Sequence, residues 1–240
     1  MKPINNAVDD LFQPREIAED EYLNEADGLI YCSKCHTPRQ HRIELKERVF
    51  LPTVRCRCQQ EEYDKEEAER KHQEFLMQVS RLKANGLQDK SLHDYNFSND
   101  KGYNPEMQKA YDYVTHWEEM KSNSLGLLFW GDVGTGKSFF AGCIANALLD
   151  KGIPVLMTNF SRILNTLTGM YSDDRNQFID SFNKYSLLII DDLGIERSSE
   201  FALEQVFNVI DSRYRSKKPL IVTTNLTLDE LKHPKDLARS

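Results

Sequence analysis

The sequence predicts an α/β protein: a parallel sheet flanked by helices, preceded by a small cysteine-bearing domain and a helical linker. Three observations predict it. From about residue 92 onward, short apolar runs alternate with helical patterns, the order that builds parallel strands joined by helices. Between the first run and the first long helix lies a glycine-rich loop, Gly131 to Ser138. Before residue 59, four of the five cysteines fall into two tight pairs.

The bulk numbers fit that class. At 240 residues the chain has room for one full domain and a small second one. Hydrophobic residues make up 40% and charged residues 29%, and no run reaches the ~20 apolar residues that span a bilayer. No apolar run follows Met1-Lys2-Pro3, so no secretory leader is expected, and the cytoplasm is the default location. A net charge of −7 argues against a broad electrostatic grip on nucleic acid, though not against a local or assembled basic channel.

Residues 1–58 form the expected first domain. Cys32-x-x-Cys35 and Cys56-x-Cys58 lie twenty residues apart, and four thiolates suit a tetrahedral zinc ion. His36 and His41 could each replace one thiolate, and unligated buried cysteines or a redox pair are the alternatives. Arg39, Arg42, Arg55 and Arg57 would offset the negative charge of the site. A domain this small needs such a staple. Cys143 reads as a small core residue.

Residues 59–90 form the expected linker. Its first part is charged, lacks Gly and Pro until Gly86, and carries a Glu67–Lys71 pair of favourable polarity. Phe75, Leu76, Val79 and Leu82 supply an apolar stripe at its end. A solvated helix is expected; heptads are too brief for a coiled coil.

Residues 91–240 form the expected main domain. Strands are predicted at Leu125–Trp130, Pro154–Thr158, Leu187–Ile190 and Pro219–Thr224. Helices are predicted at Ser138–Asp150, closed by Lys151-Gly152, at Ser161–Tyr171 and at Ser199–Arg215. Phe201, Val206, Phe207, Val209 and Ile210 are the expected core side of the last.

The loop Gly131-Asp132-Val133-Gly134-Thr135-Gly136-Lys137-Ser138 satisfies G-x-x-x-x-G-K-[ST] between a strand and a helix. Its glycines let backbone N–H groups wrap a phosphate, and the helix start adds a favourable dipole. The motif points to ATP, with Lys137 reaching the β- and γ-phosphates and Ser138 ligating magnesium. Leu187-Leu188-Ile189-Ile190-Asp191-Asp192 is its partner: an apolar strand carries Asp191 to its carboxyl end, where ligands gather. Asp191 is expected to hold magnesium and Asp192 to polarise the attacking water; capping before Leu193-Gly194 is the alternative for Asp192. Thr223-Thr224-Asn225 ends the neighbouring strand and could position water.

These residues, with Arg213-Tyr214 leading into Lys218 to Leu226, resemble the AAA+ P-loop ATPases, in particular the DnaC/DnaI-type helicase loaders and the related IstB transposition helpers. The likeness covers roughly residues 90–240, and the cysteine-bearing N-terminus resembles the loaders. It implies a replication protein that loads the replicative helicase, a homo-oligomer when bound to ATP or helicase, and contact with single-stranded DNA but not membrane. It makes Asn225 the sensor-1 residue and Lys137, Asp192 and Asn225 the catalytic set, with Asp192 in place of a more usual Glu, which leaves the hydrolysis rate open. A transposition helper, or an ATP-binding switch with little hydrolysis, are the rival readings. In the family an Arg-rich helix and one more strand follow near Ser240, so both are expected to be missing here, together with the arginine finger and the cover for the first strand. Arg213 and Arg215 are substitute charge donors or a solvated helix end. Ser91 to Phe97 resembles the family's adenine-facing entry; plain packing is the alternative.

Overall fold

The computed structural model of the chain describes residues 16–45, 48–102, 104–194 and 200–232. The expected helix start at Ser199 and the chain end at Arg239-Ser240 lie outside these residues. The chain divides into two compact units between Glu74 and Phe75.

The first unit is held by short antiparallel ladders. Strand β1 (Glu21–Leu23) pairs with β2 (Ile30–Cys32), placing Tyr22 opposite Tyr31. Strand β3 (Ile43–Leu45) pairs with β4 (Arg48–Phe50). Helix α1 (Arg57–Gly86) starts inside the second cysteine pair. Its first free amide is met locally, since Cys56 N donates to Gln59 Oε1 at 3.3 Å. The helix runs past the division between the units with nearly all side chains exposed, and Lys71 Nζ lies 2.8 Å from Glu67 Oε1. The expected apolar stripe is only partly used: Phe75 and Leu76 stay exposed, and Leu82 packs against the main core.

Gly86 ends α1 because the chain must pass close to a strand there. A Cβ on Gly86 would lie 2.1 Å from Val155 O. Leu87 then bridges Met157 in parallel, so the segment after α1 lies along the outer edge of the sheet.

The second unit is a four-stranded parallel sheet in the order β5 (Leu127–Trp130), β8 (Leu220–Thr224), β7 (Leu187–Asp191), β6 (Val155–Asn159). Strand β7 explains its unbroken apolar run: Leu187 and Ile189 enter one core, Leu188 and Ile190 the other. Helices α2 (Met107–Thr115), α3 (Trp117–Ser122) and α4 (Lys137–Asp150) cover the first face. Helices α5 (Phe160–Thr168), α6 (Ser172–Ser181) and α7 (Glu200–Arg215) cover the second. Helix α8 (Leu228–Lys232) follows β8.

Local chemistry accounts for these elements. Asn159 caps α5 by accepting from Arg162 N at 2.8 Å, and Phe160, Ile163, Leu164 and Leu167 form its buried stripe at helical spacing. Helix α4 is apolar on most sides and is buried from Phe140 through Asn146.

Two expectations need correction. The buried face of α7 is Ala202, Gln205, Val209 and Arg213, while Phe207 is 66% exposed and Ile210 is also exposed. Phe207 falls on the side of the helix opposite Val209, and Ile210 falls on its flank. Strand β5 starts at Leu127, after Gly126, whose Cβ would meet Leu220 O at 1.9 Å. Among the described residues β5 pairs with β8 alone, and Leu128 and Trp130 are exposed. No helix among the described residues is long and apolar enough to cross a membrane.

Candidate nucleotide site and cysteine cluster

The loop from Gly131 to Ser138 joins β5 to α4. Gly134 and Gly136 have φ of 85° and 90°, the left-handed region that costs other residues strain. With Gly136 as its N-cap and no side-chain cap, α4 leaves its first N–H groups open on the loop side. Lys137 Nζ donates to Gly131 O at 2.8 Å and Asp132 O at 2.7 Å. The ammonium is thus held across the mouth of the loop, where a phosphate could replace those carbonyls. Asp132, Val133 and Thr135 are exposed there, and Ser138 is half-buried in the first turn of α4. Asn104 braces the loop from outside by donating to Thr135 O at 3.3 Å.

The acidic pair ends the adjacent part of the sheet. Register places Trp130 beside Thr224, Ile190 beside Val222 and Asn159 beside Asp191, so the strands finish at one level. Thr223 Oγ1 donates to Asp191 Oδ1 at 2.6 Å and accepts from Asp192 N at 2.8 Å. Leu193 N donates to Thr223 O at 2.8 Å, and Thr224 Oγ1 is bonded to Leu193 O. Asn225 Nδ2 donates to Asp192 Oδ1 at 3.1 Å. Asp192 itself has φ 54° and is exposed. Asp191 and Asp192 therefore present two carboxylates differently: one tied to a buried threonine, the other turned out at a strained residue.

Two contributors were not singled out in the sequence. Thr223 was noted only as part of a polar strand end, yet it is 1% exposed and links both acidic residues. Asn146, in the middle of α4, is 2% exposed and donates to Leu92 O at 2.7 Å and Tyr95 O at 2.9 Å. Its signal was an amide inside the apolar run Cys143 to Leu149. It fixes the Ser91–Phe97 segment against α4. Tyr95 meets Phe139 edge-on at 5.4 Å and rests on Gly142, where a Cβ would lie 2.4 Å from its ring.

Arg213 is neither an exposed charge donor nor a solvated helix end. It is 1% exposed and donates to Phe182 O, Tyr185 O, Ser186 O and Pro219 O at 2.7–3.3 Å. Arg215 is exposed and pairs with Asp211 one turn earlier on α7.

In the first unit, the four sulfurs of Cys32, Cys35, Cys56 and Cys58 lie within 4.8 Å of one another, the metal-type cluster found among the described residues. Cys58 Sγ is 3.3 Å from Cys56 Sγ, 3.6 Å from Cys35 Sγ and 3.7 Å from Cys32 Sγ. A tetrahedron with Zn–S bonds of about 2.3 Å has S···S edges near 3.8 Å, whereas a disulfide needs about 2.05 Å. The thiols are free, and their spacing fits a tetrahedral metal. The Thr37 hydroxyl at 3.1 Å leads the groups that hold the Cys35 thiol down at about 5. Cys58 faces the other three sulfurs and is pushed up to about 12, first by Cys56. Thiolates this close would repel one another, and a cation between them would offset that repulsion. His36 Nδ1 pairs with Tyr22 OH at 3.2 Å, and neither His36 nor His41 joins the cluster.

Comparison with known proteins agrees with this architecture. The model of the family described as IstB-like ATP binding protein matches residues 57–234. The chain belongs to this family. It is 29% identical over 128 residues to the replicative helicase loader DnaC of Escherichia coli K12, covering 52% of this chain and 51% of that protein. It is 29% identical over 131 residues to the uncharacterized Bacillus subtilis protein YqaM, covering 51% of this chain and 41% of that one. The chain thus spans about half the length of the curated relatives it matches. A crystal structure of the DnaC helicase loader superimposes with a TM-score of 0.51 at 24% identity, over 63% of this chain and 89% of that one, and the fold is shared. The family is described as ATP-binding, and its match includes the loop from Gly131 to Ser138.

Proposed function

We propose that this chain is an ATP-dependent replication protein that loads a replicative helicase onto DNA. The observation that carries the reading is the union of two features in one family member: the loop at Lys137 with its acidic pair, and a four-cysteine cluster ahead of it. The named similarity to helicase loaders supports it, and the cysteine cluster favours a loader over a transposition helper. In this reading residues 1–58 hold zinc and grip the helicase, residues 59–90 are the linker, and residues 91–240 are the ATPase domain. The protein would act in the cytoplasm, touch single-stranded DNA, and form homo-oligomers when bound to ATP or helicase.

At the nucleotide site, Gly131, Asp132, Val133, Gly134, Thr135 and Gly136 would wrap the phosphates, and Lys137 would exchange its two carbonyl partners for phosphate oxygens. Ser138 and Asp191 would hold magnesium, which supplies charge neutralisation on the phosphates. Asp192 would take the proton of the attacking water, and Asn225 would orient it. Cys32, Cys35, Cys56 and Cys58 would hold zinc, which supplies the structural staple of the first unit.

A binding switch with little hydrolysis is the second reading. It is favoured by the bond from Asn225 Nδ2 to Asp192 Oδ1, which engages one oxygen of the carboxylate that would act on the water.

A pull-down of the full chain with a replicative helicase tests the loader reading; capture that depends on ATP is expected, and no capture with or without ATP rejects it. Lys137→Ala should abolish nucleotide binding with zinc content unchanged. Phosphate release with and without single-stranded DNA separates a working ATPase from a switch.

A further inference from the structure

We infer that Arg39 is a positioning residue of the cysteine cluster, a guanidinium that holds the thiolates against the acidic side chains beside them. Of the arginines near the cysteines in sequence, three have partners away from the sulfurs. Arg42 pairs with Glu44, Arg57 with Glu61, and Arg55 lies over the Tyr63 ring. Arg39 is different: its side chain is 8% exposed, and its Nη2 lies 3.6 Å from Cys32 Sγ. Its Nη1 donates to Glu21 Oε1 at 2.8 Å, and Nη2 also donates to Asp20 Oδ2 at 2.6 Å.

The backbone of Arg39 joins the two halves of the site. Arg39 N donates to Ile30 O at 2.7 Å, in the strand that ends at Cys32. Val54 N donates to Arg39 O at 2.8 Å, two residues before Cys56. The next residue, Gln40, accepts from Ile30 N at 2.9 Å through its side chain. The residue that carries the guanidinium is therefore fixed to both cysteine pairs.

The charge arithmetic explains the need. Four thiolates around a divalent ion carry a net double negative charge. The Glu21 side chain is 1% exposed and sits on the same guanidinium that reaches Cys32. Without a cation between them, a buried carboxylate and a thiolate set of like sign would face each other. A planar fork can serve two carboxylates and a sulfur at once, and a lysine ammonium cannot take that shape. Outer groups of this kind orient metal ligands and tune how tightly they hold.

The test is the rate of zinc transfer from the intact, zinc-loaded chain to an excess of a chromogenic chelator near neutral pH. Arg39→Met should release zinc about tenfold or more faster, as loss of an outer-shell partner does elsewhere. Adding Glu21→Gln should recover much of that loss, because a carboxylate of the same sign as the thiolates is gone. Arg39→Lys, which keeps the charge and loses the fork, should fall between, and it serves if Arg39→Met does not fold. Nucleotide binding should stay at the wild-type level in every variant. Release at the wild-type rate in Arg39→Met or Arg39→Lys overturns the inference. So does a double variant as fast as Arg39→Met, which would mark Arg39 as general packing. Wild-type protein that purifies from zinc-containing medium without zinc overturns it too, while leaving the nucleotide site untouched.

Discussion

Thr223 joins the two acidic residues of the candidate nucleotide site: its hydroxyl donates to Asp191 Oδ1 at 2.6 Å and accepts the Asp192 amide at 2.8 Å. A short hydrogen bond to a carboxylate orients that carboxylate more tightly than water would. The residue is buried, so no solvent competes. Placement of both Asp191 and Asp192 therefore depends on a third side chain from the neighbouring strand.

Thr223→Val tests this dependence. Valine keeps the volume but leaves both bonds unmade, at a cost of about 1–3 kcal/mol. The urea midpoint should fall accordingly, and phosphate release should drop about tenfold or more, since 1.4 kcal/mol is a factor of ten. Nucleotide affinity should change much less. An unchanged hydrolysis rate would reject the orienting role.

Arg213→Met should destabilise the second unit by about 3–5 kcal/mol, because four carbonyls in the turns before β7 and β8 lose a charged donor inside the fold. Chemical unfolding measures it. Mixing this variant with wild type should show no dominant loss of hydrolysis beyond that of misfolded protein, which a finger residue acting on a neighbour would produce.

Gly86→Ala should be more damaging than an ordinary change at a helix end. The added methyl would strike Val155 O, a backbone atom inside β6 that cannot yield cheaply. Overpacking of this kind costs about 1–3 kcal/mol, and here the end of α1 must lift from the sheet edge. Hydrogen exchange should show faster opening around Leu87 and Met157, with little change around β5.

Thiol reactivity distinguishes the cysteines. Burial pushes the Cys143 thiol up to about 12. Its thiolate fraction near pH 8 is therefore negligible, and rises only as pH approaches that value. The zinc-loaded native protein should react slowly with an aromatic disulfide reagent. After chelator treatment Cys32, Cys35, Cys56 and Cys58 should react and Cys143 should not. Unfolding should expose all five. Rapid reaction of Cys143 in the native protein would contradict its packing.

Much of this protein was legible in the chain because its signals are local. The loop from Gly131 to Ser138 demands positive φ, a cation and a helix start within eight residues, and each demand is written in residue type. The run Leu187 to Asp191 states that a strand is buried on both faces and ends in a carboxylate. The cysteine spacing states a cluster, and the four sulfurs do converge. Register, however, involves partners that lie far away in sequence. Thr223 reaches Asp191 only because β8 inserts between β5 and β7. Periodicity on α7 could not tell which apolar residues face inward, and the fold buried Arg213 while leaving Phe207 outside. The choice of Arg39 among the neighbouring arginines was likewise decided by tertiary structure, since its backbone is bonded near both cysteine pairs and its guanidinium reaches Glu21 and Cys32 together. Local chemistry thus determined what the sites are made of, and long-range packing decided which side chains serve them, because burial and hydrogen-bond geometry depend on neighbours that the linear order does not name.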